Sequence, residues 1–104
     1  MDKYIIVTTL CDKEEIANKI INTLLEKRLV AGTQVYKVRS KYWWNNELEE
    51  CDEYKLEFRT KESLFTEIKN EINKIHNYET AEISYFEIID SNVDFINWIN
   101  KETK

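Results

Sequence analysis

The segment Ser40-Lys41-Tyr42-Trp43-Trp44-Asn45-Asn46-Glu47-Leu48 places three large rings directly before a pair of asparagines. Aromatic residues favour strands, and asparagine tolerates the left-handed backbone that tight hairpin turns require. The segment therefore predicts the tip of a β-hairpin that carries large side chains far from the middle of a small sheet. An apolar cluster of this size is unfavourable when it is exposed to water, so we expect a partner subunit or a ligand to lie against it.

Both flanks of this segment support the hairpin. Val30–Trp44 has the composition of a long strand, with a bulge expected near Gly32, and residues 48–60 form its antiparallel partner. From Tyr54 to Phe58 every second residue is apolar and the residues between them are charged. This period of two indicates one buried and one polar face.

The remaining segments alternate between helix and strand patterns. The predicted elements are a strand at Tyr4–Thr9, a helix that Asp12 caps with Glu15 and that ends near Arg28, a helix opened by Ser63 that stops at His76-Asn77, a strand at Ile83–Ile89 and a short helix around Trp98. The resulting order, β-α-β-β-α-β-α, is that of an α+β, ferredoxin-like βαββαβ sandwich with an additional C-terminal helix. Its helices should cover one face of the sheet and leave the other bare, which calls for a symmetric oligomer.

Length and charge narrow the possible functions. The 104 residues show no linker or repeat, so residues 1–104 are predicted to form a single domain. The net charge of −5 and the lack of a Lys/Arg cluster argue against nucleic acid as a partner. No stretch is apolar enough to span a membrane, and the first residues resemble a strand more than an export signal. Cys11 and Cys51 lack metal-binding spacing and are expected to be free thiols, as in a cytoplasmic protein.

Four separate segments resemble the CutA-type divalent-cation tolerance family. They are Glu26–Ala31, similar to E-[KR]-R-L-A-A; the hairpin residues Ser40, Tyr42, Trp44 and Leu48; His76–Ile83, similar to H-P-Y-E-x-P-E-[IV]; and Asp94–Ile99, similar to the closing D/A-Y-L-x-W-[IVL]. The segments occur in the family's order and cover almost the whole chain.

The resemblance implies a ferredoxin-like subunit in a tight homotrimer, related in architecture to the PII signalling proteins. It also implies a cytoplasmic protein with a role in tolerance of divalent metals, copper especially, and with no enzymatic reaction. The expected activity is binding of copper or another divalent cation, or of a small ligand, at clefts between subunits. The alternative is a PII-like signalling or protein-interaction trimer with no physiological metal.

The chain departs from the family pattern where metal chemistry is expected. Gly32 stands in place of the motif cysteine, whose thiolate a soft ion such as Cu(I) prefers. Asn77 and Ala81 replace both prolines of the loop motif. Lys55 and Glu57 make the second face of their strand polar, so charges buried there would need partners across an interface.

The candidate metal site is the loop that follows the second helix, which we expect to face the hairpin of a neighbouring subunit. His76, the only histidine, can join Glu79 and Glu82 in a nitrogen–oxygen site for Cu(II) or Zn(II). A histidine at the end of a helix has a second explanation, because its cationic form stabilises that end. Glu79 and Glu82 also have a second explanation, since either carboxylate can pair with Arg39 or Lys41 at a subunit boundary.

The aromatic side chains are predicted to form the subunit interface. Tyr42 and Trp44 share one strand face, because alternate residues of a strand point the same way. Tyr78 is expected to pack in the loop, and Trp98 to anchor the last helix. Trp43 points to the opposite side of the hairpin, and its role stays open.

Overall fold

The computed structural model describes residues 2–104, which form one sheet of four strands together with three α-helices. In chain order the elements are β1 (Tyr4–Cys11), α1 (Glu14–Glu26), β2 (Gly32–Trp44), β3 (Glu47–Lys61), a 3-10 turn (Glu62–Leu64), α2 (Phe65–Ile75), β4 (Ile83–Glu87) and α3 (Val93–Glu102). Neighbouring strands are antiparallel and follow the order β2-β3-β1-β4. This topology confirms the predicted ferredoxin-like α+β sandwich with an additional C-terminal helix.

The hydrophobic core lies between one face of the sheet and the helices α1 and α2. Val7 of β1 stands opposite Phe58 of β3, and both side chains are fully buried. Ile20 of α1 and Ile72 of α2 pack against the same cluster. Removing such side chains from water is the main force that holds the helices on the sheet. Among the described residues, no helix is long and apolar enough to cross a membrane.

Two helix starts differ from the prediction. α1 begins at Glu14 with Lys13 as its N-cap, and no side chain bonds the free N–H groups there, so the predicted cap at Asp12 is wrong. Ser63 lies in the 3-10 turn before α2. Its hydroxyl donates to Asp2 Oδ2 at 2.5 Å, so it holds the N-terminal segment instead of capping a helix.

The strands also differ in detail from the prediction. The β2–β3 ladder runs without interruption from Gly32, which stands opposite Arg59, to the turn, so the expected bulge is absent from it. β4 ends at Glu87, before the predicted Ile89. Neither difference changes the order of the elements or the face that each strand turns to the core.

The helix α3 covers one end of the sheet face that α1 and α2 leave open. A Cβ atom at Gly32 would stand 2.9 Å from Cη2 of Trp98, so the absent side chain makes room for the indole. Arg28, which follows α1 with a φ of 57°, donates to Glu102 of α3 at 2.8 Å. The face that the sequence predicted to be bare is therefore partly covered from within the chain.

The polar face of β3 finds partners inside the same chain. The Tyr36 hydroxyl donates to Glu57 Oε2 at 2.9 Å, and the Arg59 guanidinium lies 3.6 Å from Glu57 Oε1. The sequence analysis expected charges on this face to need partners from a neighbouring subunit. Glu57 instead finds its partners within its own chain.

Beyond the rest of the sheet, β2 and β3 continue as a two-stranded hairpin arm, residues 38–53. β1 pairs with β3 only from Tyr54 onward, and the arm makes the subunit 45 Å long. Asn45 and Asn46 have φ angles of 52° and 63°, as a type I′ turn requires, which confirms the predicted tip. A two-stranded ribbon is marginally stable alone in water, so the arm needs support along its length.

Candidate functional site

A cleft of about 690 Å³ separates the hairpin arm from the loop after α2, residues 76–82. We call it the arm–loop cleft; its lining residues are Leu10, Asp12, Ser40, Lys41, Tyr42, Trp44, Glu53, Asn77, Tyr78, Glu79, Thr80 and Glu82. Within one chain the loop faces the chain's own hairpin arm. That it also faces the hairpin of a neighbouring subunit stays a prediction. α2 returns the polypeptide to the end of β1, which lies beside the base of the arm.

Tyr78 joins the loop to the arm across the floor of the cleft. Its hydroxyl donates to Oε2 of Glu53 at 2.6 Å. Glu53 keeps only 5% of its surface exposed, and no ion pair among the described residues reaches its carboxylate. Burial and the adjacent Glu53 charge raise the pKa of Tyr78, because both disfavour the phenolate. The pair therefore keeps a neutral phenol bonded to a buried acid.

His76 fastens the loop to the end of β1. Its Nε2 lies 2.6 Å from the carbonyl oxygen of Leu10, and its Nδ1 accepts a bond from the Tyr78 N–H at 3.2 Å. A carbonyl oxygen can only accept, so Nε2 carries the proton and both ring nitrogens are engaged. A metal ion can coordinate His76 only if it displaces one of these bonds.

Carboxylates outnumber cations around the cleft. The acidic lining residues are Asp12, Glu53, Glu79 and Glu82, and the basic one is Lys41. Glu79 and Glu82 are exposed on the rim, where Glu82 also accepts a bond from the Ser84 hydroxyl at 2.8 Å. Within residues 2–104 of one chain, no group of three His, Cys, Asp or Glu side chains is placed to hold a metal ion. Coordination by His76, Glu79 and Glu82 stays a prediction.

Tyr42 and Trp44 form the aromatic wall of the cleft. They keep 42% and 40% of their surfaces exposed, while Trp43 points away from the cleft and is 72% exposed. The Tyr42 hydroxyl lies 3.6 Å from Sγ of Cys51, a contact that raises the pKa of Tyr42 to about 12. Trp98 is not part of this wall, since its ring lies against Gly32.

Both cysteines are free, as the sequence predicted. Cys11 is the last residue of β1 and is fully buried in the core, where burial, together with the nearby Asp12 and Glu53, raises the pKa of its thiol to about 11. A thiol that is protonated at neutral pH and closed off from solvent is a poor metal ligand. Cys51 lies on the hairpin arm, paired across the strands with Ser40.

Sequence reasoning missed Glu53 and the part that Asp12 plays in the lining. Glu53 follows Glu49, Glu50 and Asp52 in one acidic run, and residue type alone does not distinguish it from them. Only Glu53 is buried, because Tyr78 and the loop lie over it. Only its position could have indicated this role, because Glu53 stands where β3 leaves the four-stranded sheet and becomes part of the arm.

Known proteins resemble this chain over nearly its whole length. A family model described as CutA1 divalent ion tolerance protein matches residues 5–102. Divalent-cation tolerance protein CutA of Pyrococcus horikoshii is 36% identical over 96% of this chain and 98% of its own length. The protein of the same name from Thermotoga maritima is 34% identical over 93% of this chain and 96% of its own length.

Solved structures give the same picture. The crystal structure of CutA1 from Pyrococcus horikoshii superposes with a TM-score of 0.91 at 35% identity, over 96% of this chain and 98% of that one. CutA from Archaeoglobus fulgidus, described as a periplasmic divalent cation tolerance protein, superposes with a TM-score of 0.94 at 26% identity, over 97% of this chain and 99% of that one.

Proposed function

This chain belongs to the CutA1 divalent ion tolerance family, and from that membership we propose that it acts in divalent-cation tolerance as a homotrimer. Its molecular activity in this proposal is binding of copper or another divalent cation, or of a small ligand, in the arm–loop cleft. The names of its relatives describe tolerance and no reaction, and we propose no catalytic step.

The charge of the cleft is the observation that carries the proposed activity. Four carboxylates and one lysine line the same cavity, so its field attracts cations and repels anions. Oxygen ligands suit hard divalent ions, and the addition of an imidazole extends the range to Zn(II) and Cu(II). One chain supplies an incomplete set of metal ligands, because within residues 2–104 no three His, Cys, Asp or Glu side chains lie close enough to hold one ion. A neighbouring subunit is the natural source of the remainder.

The homotrimer is supported by the hairpin arm and by the exposed rings. Trp43, Trp44 and Leu48 keep 72%, 40% and 54% of their surfaces exposed at or near the tip of a ribbon to which residues 2–104 add no third strand. Burying such side chains against another copy stabilises both the rings and the ribbon. Closed rings of identical subunits satisfy every copy in the same way.

Calorimetric titration with Cu(II) and with Zn(II) tests the metal assignment. In this proposal wild type binds one of these ions and the His76→Ala variant binds it more weakly, although coordination requires the bond to Leu10 or to Tyr78 to open. Identical binding by both proteins, or binding by neither, would refute a metal site in this loop.

A PII-like trimer that binds no physiological metal is the second candidate. The engaged nitrogens of His76 favour it, since a histidine that already bonds on both sides serves the loop structure and not a ligand. The same titrations separate the two candidates, because this one predicts no specific heat with either ion.

A cytoplasmic location also remains a proposal. Its support is the free thiol of Cys51, which is partly exposed, since accessible thiols persist in reducing compartments. Fractionation of the native organism checks it: recovery of the protein with periplasmic or extracellular markers would contradict it.

A further inference from the structure

Within residues 2–104, Glu53 is a buried carboxylate without a partner cation. It is 5% exposed, it accepts a bond from the neutral Tyr78 hydroxyl, and it lines the cleft. A buried carboxylate is stabilised when a cation with N–H donors reaches it, because a single neutral donor compensates little of the lost hydration. The site therefore lacks a positive group at its floor.

The other carboxylates are spread along the cleft and not gathered around a point. Glu79 and Glu82 lie on the exposed rim of the loop, away from the floor, and no three acidic or histidine groups of residues 2–104 converge. A metal ion needs several ligands within about 2.0–2.6 Å of one centre. Separated carboxylates suit an extended cation whose positive groups are themselves separated.

The wall between floor and rim is aromatic. Tyr42 and Trp44 stand on the same face of the arm and leave part of each ring open to the cleft. Aromatic faces attract ammonium groups and also pack against the methylene chains that join them. A volume of about 690 Å³ falls within the range of sites for small organic molecules, which is roughly 300–1,000 Å³.

We infer that the arm–loop cleft binds an extended organic cation of the polyamine class, with one ammonium group on Glu53, a methylene segment along Tyr42 and a second ammonium group on Glu79 or Glu82. The inference rests on the proposed function in one respect, that the arm–loop cleft is the ligand site. It identifies the small ligand of that proposed function as an organic cation.

Calorimetry with spermidine at fixed ionic strength tests the inference, using the full-length protein in its native assembly. Glu53→Gln removes the charge but keeps an oxygen that can accept from Tyr78, and we expect it to weaken spermidine binding about tenfold or more. Glu50→Gln is the matched control: it removes an exposed carboxylate of the same strand that does not line the cleft, and a change within about twofold is expected.

A second variant keeps the test independent of the buried position. Glu79→Gln with Glu82→Gln alters only exposed side chains, so folding should be preserved, and binding should weaken here too. The inference is overturned if spermidine does not bind, or if Glu50→Gln weakens it as much as Glu53→Gln, which is the behaviour of a diffuse acidic surface. Binding of Zn(II) or Cu(II) without spermidine would overturn this inference alone. Binding of none of the three would overturn the proposed ligand site as well.

Discussion

At Gly32 a missing side chain decides how the last helix docks. The family's motif cysteine is absent there, and the ring of Trp98 occupies the space beside the backbone. Two residues far apart in sequence are thus matched in size. The departure from the family motif that removes a possible metal thiolate has a packing consequence in this chain.

Gly32→Ala tests this match. The new Cβ would stand 2.9 Å from Trp98 Cη2, so the indole or α3 must shift, and we expect a loss of about 1–3 kcal/mol in the free energy of unfolding. In a Trp98→Leu background the same substitution should be neutral or stabilising, because alanine restricts the unfolded chain. Urea denaturation of the four proteins measures the coupling, and equal effects in both backgrounds would exclude the contact.

The bond between Tyr78 and Glu53 is the second residue-scale feature. Tyr78→Phe removes the donor and leaves the buried carboxylate unbonded, so we expect a loss of about 1.5–3 kcal/mol in unfolding free energy. Tyr36→Phe is the control, since its bond to Glu57 is exposed and should matter by less than about 0.5 kcal/mol. Equal urea midpoints for the two variants would show that Glu53 is solvated.

At the scale of elements, the hairpin arm depends on its turn. Two successive asparagines adopt positive φ, a conformation that glycine takes without strain. The turn matches the right-handed twist of the two strands, which extends the ladder as far as the pair Trp44 and Glu47. The strength of the turn therefore sets how well the arm holds its aromatic wall in place.

Asn46→Gly is expected to stabilise the protein by up to about 1 kcal/mol, because it removes the strain at a φ of 63°. Asn70→Gly makes the same change at an exposed position within α2 and should destabilise by about 0.5–1 kcal/mol, since glycine weakens helices. Thermal denaturation of the two variants compares them directly. A lower melting temperature for Asn46→Gly would mean that the turn differs from type I′.

At the scale of the whole molecule, the exposed aromatic rings allow the proposed oligomer to be tested by mutation. Trp44→Ala should lower the mass of the particle in light scattering, or its melting temperature, if its ring is covered by another copy. Trp43→Ala removes an equal ring from the other face of the arm and serves as the comparison. A Trp44→Ala particle with the mass and melting temperature of wild type would count against an anchor at this position.

The tyrosines predict the response of the whole fold to alkali. Tyr36, Tyr42, Tyr78 and Tyr85 each have a pKa raised above 10.0. The main cause is a bond to a glutamate for Tyr36 and Tyr85, the contact with Cys51 for Tyr42, and burial for Tyr78. Above the unfolded pKa the unfolded chain loses these protons while the native chain keeps them, so stability is full below about pH 10 and falls above it. Melting temperatures from about pH 9 to about pH 11 should show this fall, less steeply for Tyr78→Phe. If melting temperature falls with pH as steeply in Tyr78→Phe as in wild type, Tyr78 does not contribute to the loss of stability in alkali.

The sequence by itself determined the order of the elements, the turn at Asn45 and Asn46, the alternation along β3 and the family. Each of these depends on residues that are close in sequence, where periodicity and backbone preference act directly. The tertiary structure alone decided what the site residues do. Tyr78 covers Glu53, and the loop faces its own hairpin arm. Both ring nitrogens of His76 form hydrogen bonds with the backbone, one with Leu10 and one with Tyr78. Such contacts join segments that lie far apart along the chain, and only the packing of α2 and the sheet brings them together.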